Sequence, residues 1–80
     1  MSKTTVWNAP VEYRVDFKIN GTQGGLCRYF QGYSLDDIVD MFKSALQIDD
    51  IRKDSIESFQ ILKYNRFNDS WEIQKSKDLN

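Results

Sequence analysis

The chain has 80 residues, 40% of them hydrophobic and 29% charged, with a formal net charge of −1 and no histidine. That length allows one domain with a thin core, and the near-neutral balance excludes a polycation built to hold DNA or RNA over its whole surface. The lone Cys27 excludes an internal disulfide and a cysteine metal site.

The opening residues, MSKTTVWNAP, contain no apolar signal region, and no later run reaches membrane-spanning length. The expectation is a cytoplasmic protein with no membrane partner, its residues 1–10 forming a loose arm that carries Trp7. Two glycosylation-type triplets, Asn20-Gly21-Thr22 and Asn68-Asp69-Ser70, are then read as turns.

Residues 11–19, VEYRVDFKI, alternate without a fault. Val11, Tyr13, Val15, Phe17 and Ile19 share one face, and Glu12, Arg14, Asp16 and Lys18 share the other, which predicts a half-buried strand. Asn20-Gly21 and Gly24-Gly25 supply residues that tolerate positive φ in a hairpin loop. Residues 26–32 return as a second strand. With a loop of NGTQGG, Ile19 faces Leu26, Val15 faces Phe30, and Arg28 falls on the apolar face. A one-residue slip or bulge turns Tyr29 inward instead, and the sequence leaves both registers open.

Ser34-Leu35-Asp36-Asp37 carries a hydroxyl at a helix N-cap and an acid three residues on, with both acids at the positive end of the helix dipole. Leu35, Ile38, Val39, Phe42, Ala45 and Leu46 then form one apolar stripe at helical spacing, fading near Gln47. Ile48 and Ile51 read as buried anchors in a polar connection that holds a short helical turn. Residues 58–65, SFQILKYN, give a third strand, and residues 70–75, SWEIQK, a fourth. A four-residue loop between them pairs Tyr64 with Trp71, Leu62 with Ile73 and Lys63 with Glu72, whereas a two-residue Asn68-Asp69 turn shifts the pairs and keeps the same faces. Phe59 and Ile61 make the third strand apolar on both sides, as a central strand requires. The predicted fold is α+β: a four-stranded, mostly antiparallel sheet with one helix on one face, in ββαββ order, as a single domain over residues 1–80.

Charge is unevenly spread. Residues 34–57 hold seven acids against three bases, while residues 1–33 and 58–80 balance at +2 and +1. An acidic helix with a solvated face accounts for this. Without histidine there is no Ser-His or Cys-His pair, and Cys27 reads as a small buried strand residue. Asp49-Asp50 and Asp54 lack the alternating ligands of a calcium loop, and the glycine-rich loop lacks the Lys-Ser/Thr of a phosphate loop. No catalytic, cofactor-binding or metal-binding residue is expected, and the chain reads as a non-enzyme.

Three functional classes remain. One helix cannot cover both faces of a four-stranded sheet, so an uncovered face invites a protein partner. The candidate partner-binding residues are Asp36, Asp37 and Asp40 on the helix, with Arg28, Tyr29, Tyr33, Arg66, Phe67 and Trp71 among the aromatic and basic side chains. The alternative is a single-stranded nucleic-acid binder that stacks bases on those aromatics. The element order is not that of an RNA-recognition motif, and the glycine and aromatic spacing of its signature strand is absent. The third class is a structural homodimer joined sheet to sheet. In size and organisation the chain resembles the inhibitors and adaptors encoded by phages and mobile elements. That resemblance implies a protein that occupies a surface of a larger complex in the host cytoplasm.

Overall fold

The computed structural model describes residues 9–74, so residues 1–8 of the expected 1–10 arm, Trp7 among them, and the end of the last strand at Lys75 lie outside the described residues. Strand β1 spans Val11–Ile19 and β2 Leu26–Gly32; helix α1 follows over Leu35–Ile48; β3 spans Ile56–Asn65 and β4 Ser70–Gln74. The strands form one antiparallel sheet in the order β2-β1-β3-β4, with β1 and β3 central. The fold is therefore α+β in ββαββ order, as the sequence predicts.

Alternation in β1 explains the core. Tyr13, Val15 and Phe17 are buried beneath α1, with Ile61 from β3 and with Ile38, Val39, Phe42 and Leu46 from the helix stripe. Phe42 is fully enclosed, and its ring meets Phe17, Phe30 and Phe59 at 5.1, 6.5 and 6.1 Å between centroids. Edge-on and tilted contacts of this kind add to the burial of apolar area that holds a small core.

The helix begins as its capping residues dictate. The Asp37 amide donates to Ser34 Oγ at 3.2 Å, and the Tyr33 amide donates to the Asp37 carboxylate at 3.0 Å. Its end is a Schellman turn: the Asp50 amide donates to the Gln47 carbonyl and the Ile51 amide to the Leu46 carbonyl. Ile48, expected to be an anchor, ends the helix on the same flank as Met41 and is 83% exposed, whereas Ile51, past the turn, packs against the core. A short 3-10 turn at Lys53–Ser55 leads into β3.

The β1–β2 register differs from the expected one by two residues. Leu26 lies opposite Phe17, and Phe30 opposite Tyr13. The Ile19 carbonyl accepts from both the amide and the hydroxyl of Thr22, and this tight turn withdraws it from the ladder with β2. A shift of two keeps every side chain on its face. Arg28 therefore lies opposite Val15 on the helix face, and Tyr29 opposite Arg14 on the other. Arg28 tolerates that position because it reaches the carboxylate of Asp49 at the helix C-cap. The last turn of α1 contains no basic residue, so Arg28 supplies the cation that the negative end of the helix dipole lacks. Cys27, expected to be buried, is exposed on the face away from the helix. The β3–β4 register matches the predicted pairs, Tyr64 with Trp71, Leu62 with Ile73 and Lys63 with Glu72.

Candidate binding face

The sheet face opposite α1 is covered by no element among the described residues. Its positions follow from the registers: Tyr29, Arg14, Leu62 and Ile73 lie in one row across all four strands, with Tyr64 and Trp71 paired in the next. Trp71 lies across the strands and joins these side chains. Its ring centroid is 5.2 Å from Tyr64, 5.9 Å from Tyr29 and 5.1 Å from the Arg14 guanidinium. Leu62, on the same face, is 6% exposed although it stands outside the core beneath the helix. The aromatic strip thus builds a small apolar cluster of its own on the uncovered face.

Arg14 holds this cluster in place rather than offering a free charge. Its guanidinium donates to both carboxylate oxygens of Asp16, at 2.9 and 3.1 Å, and Asp16 holds Arg14 firmly in its charged form. Lys18 lies 3.6 Å from Glu57. With Glu12 and Asp16 against Arg14 and Lys18, the β1 row on this face sums to zero charge. At the margin, Ile73 is 69% and Tyr29 58% exposed.

Beyond this face, the β3–β4 hairpin presents a second feature. The Phe67 amide donates to Asn65 Oδ1 at 3.0 Å, Ser70 donates to Asn68 at 2.6 Å, Asn65 donates to Glu72 at 3.0 Å, and the Tyr64 hydroxyl donates to Asp69. The loop is held by its own polar side chains, while Phe67 is 96% exposed at its tip beside Arg66.

The sequence candidates therefore separate. Tyr29 and Trp71 come together on the open face. Arg66 and Phe67 stand at the hairpin tip, and Tyr33 is 67% exposed where β2 turns into α1. Asp36, Asp37 and Asp40 ride on the helix, on the opposite side of the sheet, with Asp37 engaged at the N-cap. Arg28 is paired with Asp49 on the helix face. Sequence reasoning missed Arg14 as part of the site. Its signal was present in the alternation of β1, which places it on the polar face, but the contact with Trp71 depends on a reach across β3 that no local pattern encodes.

Among the described residues no group of three or more His, Cys, Asp or Glu is arranged to hold a metal ion, and no helix is long and apolar enough to cross a membrane. No family model, no curated protein and no solved structure matches the chain.

Proposed function

We propose that this is a non-enzymatic domain that binds a protein through its uncovered sheet face. The observation that carries the reading is the Tyr29–Trp71–Tyr64 strip with Leu62 and Ile73 in a charge-balanced surround. Aromatic anchors that are already packed lose little entropy on docking, and they suit a partner with an apolar centre and a hydrogen-bonding rim. An inhibitor or adaptor of phage or mobile-element type, masking a surface of a larger complex in the host cytoplasm, is the form this reading takes. A lone exposed thiol such as Cys27 suits such a reducing compartment.

The test is comparative capture from a host lysate with mass identification of what is bound. Ile73→Arg and Tyr29→Ala change exposed side chains and leave the fold intact. The reading expects one protein to be held by the wild type, lost from both variants and kept by an Asp36→Lys/Asp40→Lys double variant. Retention in the sheet variants with loss in the helix variant moves the site to α1 and rejects the open face.

Stacked aromatics on a sheet also favour the second reading, a single-stranded nucleic-acid platform. Its weakness is electrostatic: the β1 row carries no net charge, and Arg14 is already committed to Asp16. Binding of an oligonucleotide at low salt, reduced by Trp71→Ala and falling steeply as salt rises, would establish it.

A further inference from the structure

The outer edge of β2 is unlike the other edge of the sheet. Among the described residues β2 pairs only with β1, and no loop donates to or accepts from its far side. Such an edge presents free amides and carbonyls that another strand can pair with, so proteins commonly blunt it with lysine, proline, a bulge or a short length. β4 differs: over its described residues, Ser70–Gln74, it carries the charged side chain of Glu72. β2 has seven residues, no proline or lysine, and an unbroken register with β1. Its single charge, Arg28, faces the helix and is paired with Asp49.

The rim of this edge is apolar on both sides of the sheet. Met41 and Ile48, seven residues apart, share one flank of α1 and are 39% and 83% exposed. That flank overlooks β2: a Cβ at Gly32 would lie 3.7 Å from Met41 Cε, and Asp49, next to Ile48, reaches back to Arg28. Leu26 adds a further exposed side chain on the helix side, and Tyr29 does so on the open side.

We propose that β2 pairs antiparallel with β2 of a second copy of the chain, making one continuous eight-stranded sheet. The two-fold axis that relates such strands is perpendicular to the sheet. It keeps each face on its own side, so paired residues must point the same way and the axis passes between the two copies of one residue. Centred on Tyr29 the pairing uses all seven residues, with Leu26 opposite the partner's Gly32 and Tyr29 opposite the partner's Tyr29. Both helices then lie on one side, with their Met41 and Ile48 flanks toward each other, and the two aromatic strips join into one. A second copy fits better than a charged partner because the rim leaves no charge to answer: Arg28 is used by Asp49, and Asp37 by the helix N-terminus. The inference does not depend on what the open face binds.

The experiment is light scattering on the full chain from low to hundreds of micromolar concentration, joined to cysteine cross-linking. The expected mass is twice the 9.4 kDa of the chain. Met41→Lys/Ile48→Lys changes only exposed positions and is expected to raise the dissociation constant about tenfold or more while the circular dichroism is unchanged. Tyr29→Cys in a Cys27→Ser background is expected to oxidise to a covalent dimer. Native Cys27 is not, because the register sets it four positions, about 13 Å, from the partner's Cys27. A 9.4 kDa mass at every concentration overturns the proposal. So does an Ile73→Cys variant that cross-links in preference to Tyr29→Cys, which would place the contact on the open face.

Discussion

Asp50 and Asp69 hold φ at 58° and 53°, the left-handed region that suits glycine. They are there for different reasons. Asp50 closes the Schellman turn after α1 with backbone hydrogen bonds alone, which glycine would make equally well. Asp50→Gly should therefore raise stability by about 0.5–1 kcal/mol, read from a urea midpoint at unchanged slope. Asp69 uses its carboxylate to accept from the Tyr64 hydroxyl, so Asp69→Gly should gain less than Asp50→Gly or lose stability outright. The same bond sets an alkaline limit. Donation to Asp69 raises Tyr64 above its ordinary 10.0, and burial, reinforced by Asp37, raises Tyr13. Raised values mean that the folded state holds these protons more tightly than the unfolded chain. Their contribution is complete below about pH 10 and is lost as pH rises through the folded values. Urea midpoints measured from about pH 8 to 12 should fall above pH 10, and Tyr64→Phe should flatten part of that fall.

At the scale of elements, β2 and α1 meet at Gly32. A Cβ there would lie 3.0 Å from Ile38 Cδ1 and 3.2 Å from Asp37 Cβ, and Ile38 is fully buried, with nowhere to move. Gly32→Ala should cost about 1–3 kcal/mol by overpacking, visible as a lower melting temperature with the spectrum of the native fold retained. Much of each element was legible in the sequence. The faultless alternation of VEYRVDFKI fixed both faces of β1, and Ser34 with Asp37 marked the start of α1, because these signals are local. The β1–β2 register was not legible, since it turned on Thr22 taking the Ile19 carbonyl with two donors. Ile48 misled for another reason. It reads as part of the connection, but α1 runs through Ile48 and places it on the Met41 flank, away from the buried stripe. Cys27 misled because β2 is an edge strand, and edge position is a property of the whole sheet.

At the largest scale, the element order and the uncovered face of the described residues were readable in the sequence from counting: one helix, four strands. The aromatic strip was only half readable. Tyr64 and Trp71 follow from a hairpin register, whereas Tyr29 reaches Trp71 from the far edge, across β1 and β3. The sheet order has a consequence in time. β1 with β2, and β3 with β4, are hairpins that close over short loops, but the ladder between Tyr13 and Lys63 joins the two ends of the chain across the helix. Closing that long loop costs entropy before the seam returns any contact, so the meeting of the two hairpins should set the folding rate. Val15→Ala and Ile61→Ala, on either side of the seam, should slow refolding in stopped-flow traces. Ile73→Ala, at the margin, should act mainly by speeding unfolding. Equal partition of all three effects between the two chevron limbs would mean that the halves do not form separately. The central seam is then the slow step in the life of the chain, and each hairpin waits on the other to become permanent.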